Sequence, residues 1–199
     1  MLSNQVKRQT PQEISKKRTR DIVDFIDVRT AIDSDDEKIG SLLVSTFTET
    51  YALKIPHIVT TEERLAELRN VKQRRECGIT VVLELGYRII GTFTLIRPDT
   101  IESQNWIKGA ATLRCVAVDP EFHGLGFSEI LLNESERIAM SWSINFICLH
   151  VQKGADGVAH LYKKRGYIRE PYADLLCHGS DVQGYFLPLD NFSMIRAPQ

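Results

Sequence analysis

The chain has 199 residues, 43% of them apolar, and its 25 Lys and Arg against 26 Asp and Glu give a formal net charge of -1. That length suits one domain with its own buried core, and the near-neutral balance gives no general electrostatic pull toward nucleic acid or a membrane surface. No stretch reaches the roughly 18 apolar residues of a membrane span, and the N-terminus lacks the apolar h-region of a secretory signal.

Residues 1–22 read as a polar, basic tail, whose first 20 residues set Lys7, Arg8, Lys16, Lys17, Arg18 and Arg20 against Glu13 alone. Its composition fits a solvated segment, with a nucleic-acid arm or an organellar presequence as alternatives. The regular part of the chain spans 23–192, and 193–199 form a second tail. Residues 24–30 alternate loosely and predict a strand. Ser34 to Glu37 reads as a capping box, followed by Ile39, Leu42, Leu43 and Phe47 on one helical face. A second box at Thr60 to Glu63 opens a helix with Leu65, Leu68 and Val71 inward and Gly78 as its stop.

Residues 79–85 and 88–96 flank Gly86-Tyr87, a two-residue hairpin signal. A loop over 97–109 leads to a long strand at 110–118. A helix is predicted over 127–141 and an apolar strand over 144–151. Asp156 is positioned to cap a short helix at 157–165, closed by Gly166. Final strands are expected from Tyr167 onward and at 185–189. The order implies a mixed α/β fold, with the strands before and after the 127–141 helix parallel.

The most informative stretch is VAVDPEFHGLGFSEILL, residues 116–132. A strand feeds a glycine-spaced turn and then a helix, which offers backbone N–H groups to an anion at the helix start. That is chemistry for a phosphate and points to a nucleotide-bearing ligand. The cysteines at 77, 115, 148 and 177 form no CxxC pair. They are read as free thiols of a reducing cytoplasm, with no zinc site and no other metal expected. Cys115 has no evident base partner and is not read as a nucleophile.

These motifs resemble those of the GNAT superfamily of acyl-coenzyme A N-acyltransferases. The family's Gln/Arg-x-x-Gly-x-Gly/Ala signature corresponds to His123-Gly124-Leu125-Gly126-Phe127-Ser128 here. Its later strand, Leu-Tyr and Gly-Phe/Tyr motif corresponds to Leu149-His150-Val151, Leu161-Tyr162 and Gly166-Tyr167. The sequence departs from the pattern at His123, at Ser128 and at Ala155, where the family often has Asn. The resemblance implies a mostly antiparallel central sheet flanked by helices, with acetyl-CoA as cosubstrate. It also implies that the backbone of Val116, Ala117 and Val118 pairs with the pantetheine arm. The turn from His123 through Gly124, Leu125, Gly126 and Phe127 to Ser128 would then hold the pyrophosphate.

Tyr162 is the candidate acid for the departing thiolate. The base is more open. Thr112 occupies the position where some members carry Glu, which leaves His150, Glu84 or a chain of waters. Trp106 and Tyr51 are candidates for lining the acceptor pocket. The expected activity is transfer of an acyl group, most simply acetyl, to a primary amine on a small molecule or peptide. A non-catalytic acyl-CoA-binding or regulatory module on the same fold is the rival reading. The acceptor and the oligomeric state, a homodimer included, stay open.

Overall fold

The computed structural model describes residues 25–56 and 58–189, apart from the side chains of Tyr51 and Ala52. The basic segment 1–22, the tail 193–199 and the Tyr51 side chain therefore lie outside the described residues.

Seven strands and five helices alternate along the described chain. They are β1 (Ile26–Thr30), α1 (Asp36–Lys54), α2 (Glu62–Arg69), α3 (Val71–Cys77), β2 (Gly78–Leu85) and β3 (Arg88–Ile96). The second half comprises β4 (Ala111–Val118), α4 (Phe127–Ser141), β5 (Phe146–Gln152), α5 (Asp156–Lys164), β6 (Ile168–Cys177) and β7 (Ser180–Pro188). The strands form one sheet in the order β1-β2-β3-β4-β5-β7-β6. Every neighbouring pair is antiparallel except β4 and β5, which α4 joins as a parallel crossover. No helix among the described residues is long and apolar enough to cross a membrane.

The central strands are covered on both faces, so they alternate between two cores rather than between core and solvent, whereas the edge strands β1 and β6 are largely exposed. On β2, Val81, Leu83 and Leu85 enter the core that contains Leu131, Leu132 and Ile138 of α4. Val82 enters the opposite core with Ile39, Leu42 and Leu43 of α1 and Leu68 of α2. In α4 the buried residues Phe127, Leu131, Leu132, Ile138 and Ala139 recur at helical spacing and make its inward stripe.

Several local details differ from the sequence reading. The first cap forms two residues early. The Asp35 carboxylate accepts the Ile32 N–H at 2.9 Å and is held from the other side by Arg29 at 2.7 Å, and α1 then starts at Asp36. Arg29 is the first cause of the lowered pKa of Asp35, so the cap stays ionised. In the second cap it is Thr61 that accepts, from the Arg64 N–H at 3.2 Å.

The helix expected to run through Val71 is in fact two helices. Arg74, 1% exposed, donates to the Glu67 carbonyl and to the Leu68 carbonyl at 2.7 Å. Those are among the last carbonyls of α2, that of Glu67 also taking the Asn70 N–H at 3.1 Å, so a buried guanidinium secures the helix end from inside. Finally, Asp156 is the first residue of α5 rather than its cap. β7 begins at Ser180, well before Tyr185.

Candidate active site

The site is built where the sheet comes apart. β4 and β5 share two rungs, Ala111 with Ile147 and Thr112 with Cys148, and then separate, while β5 continues against β7 from Phe146 to Gln152. A bulge in β4 accompanies the parting. The β3–β4 register shifts between Thr92 and Thr94, and Cys115 takes a left-handed φ of +54° in mid-strand. Bulges bend a strand and increase its local twist. The opening is a cavity of about 510 Å³, walled by Val116 to Val118 on one side and by Leu149 to Gln152 and α5 on the other.

At one end of the cavity lies the glycine turn. Gly124 and Gly126 have φ of +78° and +82°, and a Cβ built on either would meet nothing within 4 Å. Left-handed positions on either side of a residue of ordinary φ aim backbone N–H groups into one concavity, and glycine adopts them without strain. Gly126 caps α4, whose first-turn N–H groups have no intrahelical acceptor. Ser128 and both glycines line the cavity, and Phe127 is 1% exposed and pins the helix start to the core. The side chain of Leu125 packs against the same core, so this residue has only its backbone to offer a ligand. Arg88 braces the turn through Asp119 at 2.6 Å and Glu121 at 2.7 Å.

His123 lines the cavity, with part of its ring already engaged. Its Nε2 lies 2.8 Å from the Val118 carbonyl, so the ring folds back on the strand and stitches the turn to β4. With Nε2–H donating there, Nδ1 is the only ring nitrogen left for a phosphate.

Tyr162 lines the cavity from α5 and is 7% exposed. Burial raises its phenol pKa well above the ordinary tyrosine value, so it stays protonated at neutral pH. Its ring meets Tyr167 edge-on, with centroids 5.1 Å apart. The chain reversal that permits this is fixed at Gly166, φ +101°, and by a bond from the Tyr167 N–H to the Tyr162 carbonyl at 3.0 Å. The Tyr167 hydroxyl is itself buried with no hydrogen-bond partner among the described residues.

His150 also reaches the cavity, from β5. Its Nε2 lies 2.9 Å from the Ala173 carbonyl, and its ring meets Trp106 edge-on at 5.2 Å. Burial lowers its pKa, an effect partly opposed by the bond to Ala173. The imidazole is thus held neutral, with Nδ1 as its basic nitrogen. Trp106 supports His150 but does not line the cavity. Thr112 does line it, and its hydroxyl accepts the Gln104 N–H at 3.2 Å.

Glu84 stands elsewhere. It pairs with Arg29 at 2.6 Å, near the far edge of the sheet, and is not a cavity residue. Cys115 lines the cavity at the bulge. Burial pushes the Cys148 thiol up to about 11, which leaves it protonated and inert. Among the described residues, no group of three or more His, Cys, Asp or Glu side chains is arranged to hold a metal ion.

The sequence reading missed the charged hub at the other end of the cavity. Glu67 of α2 pairs with Arg64 and, at 2.8 Å, with Arg114 of β4, while Arg74 stands 3.7 Å away. Arg114 also pairs with Glu102. His178, in the β6–β7 turn, closes the group at 4.0 Å from Glu67. Arg64, Arg114 and His178 line the cavity.

The chain belongs to the Acetyltransferase (GNAT) family, whose profile matches residues 35–167. Among solved structures, it is similar to a GNAT-family acetyltransferase from Staphylococcus aureus Mu50, with a TM-score of 0.64 and 19% identity over 82% of this chain and 99% of that one. A spermidine N-acetyltransferase from Vibrio cholerae, in complex with CoA and spermine, gives a TM-score of 0.59 at 21% identity over 85% and 99%. A PaiA N-acetyltransferase from Thermoplasma acidophilum, in complex with coenzyme A, gives 0.59 at 19% over 80% and 97%. These likenesses are of fold. No curated protein is significantly matched.

Proposed function

We propose that the protein is an acetyl-CoA-dependent N-acetyltransferase that acts on a primary amine within a ternary complex. The observation that carries this reading is the parting of β4 from β5. It leaves the Val116–Val118 edge without a sheet partner on the side where a glycine turn and a buried tyrosine face one cavity. An extended arm with amide groups can take the place of the missing strand through main-chain bonds. The residues fit such a ligand, because the two left-handed glycines leave room for a phosphate to approach the backbone.

Acetyl-CoA, when bound, supplies an activated acyl group on a thioester. Tyr162 gives its proton to the departing sulfur as the carbon–sulfur bond breaks. His150 takes the proton that the amine nitrogen loses as its bond to the acyl carbon forms, directly or through water. The remaining contribution is positioning, since the cavity walls hold both reactants in line. Domain limits of 23–192 fit this reading, and the segments outside them carry none of the proposed chemistry.

The test has two stages. Calorimetric titration with acetyl-CoA is expected to give one site per chain with micromolar affinity. Thiol release over a panel of primary amines is then expected to depend on the amine. Absence of binding at high micromolar concentration sinks the reading. Binding without thiol release from any amine replaces it with a non-catalytic acyl-CoA sensor.

A further inference from the structure

We infer that the acceptor is an amine that also carries a carboxylate, and that Arg64 and Arg114 select it. This inference rests on the acyltransferase reading of the cavity and adds the chemical class of the second substrate.

The cavity wall has a one-sided charge. Lys54, Arg64 and Arg114 line it together with His123, His150 and His178, and among the described residues no aspartate or glutamate does. The carboxylates that partner the guanidiniums, Glu67 and Glu102, stand behind them and off the wall. Among the described residues the hub gathers three guanidiniums, those of Arg64, Arg74 and Arg114, on the carboxylates of Glu67 and Glu102. A third carboxylate, Glu63, lies 3.7 Å from His178, but its side chain is 78% exposed and screened by water.

Donor capacity remains as well. A guanidinium has five N–H groups, and the recorded bonds of Arg114 are three: to the Glu102 carbonyl, to its carboxylate and to Glu67. The Nδ1 of His178 is buried and has no hydrogen-bond partner among the described residues. A carboxylate at this end would satisfy both.

This anion site is not the one proposed for pyrophosphate. Arg114 precedes the bulge, and four residues separate it from Val118 at the foot of the glycine turn, about 13 Å of strand. A polycationic acceptor would meet the opposite of what it needs. It would leave its hydration shell to face guanidiniums, with the carboxylates of Glu67 and Glu102 already engaged.

The experiment compares acceptors matched in length, each tested against the full chain with acetyl-CoA. One series ends in carboxylate, one in methyl and one in ammonium, and amino acids are set against their amides. An aminoalkyl phosphate series separates carboxylate recognition from recognition of any oxyanion. The expected kcat/KM for carboxylate-ended amines exceeds that for the methyl- and ammonium-ended ones by at least about tenfold, the worth of one charge-assisted bond. Arg114→Gln and, separately, Arg64→Gln should pull that ratio toward one, a change that loss of folded protein alone cannot produce.

Equal or better turnover of diamines and spermidine overturns the inference, as does a ratio unmoved in both variants. So does a preference for the phosphate series over the carboxylates. If CoA binds but no amine turns over, the acyltransferase reading fails separately. Calorimetric binding of the same amines to the CoA complex then decides the charge preference, and equal affinity for all three series refutes it.

Discussion

Arg165 and Glu136 form an ion pair inside the protein, with side chains 2% and 1% exposed. Arg165 ends α5, the helix of Tyr162, and Glu136 lies on α4, the helix whose start forms the glycine turn. The same guanidinium reaches Glu129 at 2.5 Å and Asn133 at 2.6 Å, so one side chain ties α5 to two turns of α4. Removing one partner strands a buried charge. Arg165→Met should therefore cost about 3–5 kcal/mol, which lowers Tm by roughly 6–20 °C for a chain of this length. Arg165→Met with Glu136→Leu should recover much of that loss, since the buried carboxylate goes with its partner and Glu129, half exposed, is left to solvent. Thermal unfolding of the two variants checks this, and an unaltered Tm in the single variant removes the pair from the architecture.

Tyr162→Phe separates chemistry from binding. The ring that packs edge-on against Tyr167 is kept, and only the hydroxyl is lost. General acid catalysis contributes about 10²–10⁴-fold, so kcat should fall by at least about 10²-fold with little change in CoA affinity. Single-turnover kinetics beside calorimetry read the two quantities independently. Unchanged turnover would clear the phenol of its role.

Gly126→Ala tests the turn, and Gly86→Ala is its control. Both glycines have left-handed φ, +82° and +67°, and neither has an atom within 4 Å of an added Cβ. Backbone strain in the two variants should thus be alike, about 1–2 kcal/mol. Gly86, in the β2–β3 hairpin, does not line the cavity, whereas the added methyl at Gly126 would stand where a phosphate is proposed to approach. Acetyl-CoA affinity is expected to fall at least about tenfold in Gly126→Ala alone. Equal affinities in the two variants would mean that this turn does not grip the ligand.

How much of this was legible in the sequence depended on how local the cause was. The glycine turn, α4 and the Leu161-Tyr162 helix are each specified within about a dozen residues, and the apolar period and glycine spacing announce them. The parting of β4 and β5 was not announced. It involves a bulge at Cys115, a non-glycine residue with φ +54° inside an apolar run, and nothing in such a run marks one position as left-handed. The break between α2 and α3 was hidden for a related reason. It depends on Arg74 reaching back to the carbonyls of Glu67 and Leu68, and an arginine on a polar stretch reads as a solvated side chain. The hub at Glu67 draws Arg114 from 47 residues away, a distance at which pattern reading has no signal. His123 shows what a motif alone does not reveal, because its ring spends one nitrogen on the Val118 carbonyl while lining the cavity.

His150 yields a prediction with a definite sign. Burial lowers its pKa, and the Ala173 carbonyl and Asp174 only partly offset that while Arg114 and Arg169 add to it. The neutral, basic form therefore persists below the ordinary midpoint of about 6.5. If His150 takes the amine's proton, kcat/KM should hold as pH falls through 6.5 and decline only beneath it, and His150→Gln should abolish that acidic limb. Stability has the same direction. The unfolded chain binds the proton first, so the stability gained from a neutral buried imidazole is present above about 6.5 and is lost as pH falls toward the folded value. A limb centred at or above 7, or one that survives in His150→Gln, would assign the proton to a different group. His178, which also lines the cavity, would be the next to test.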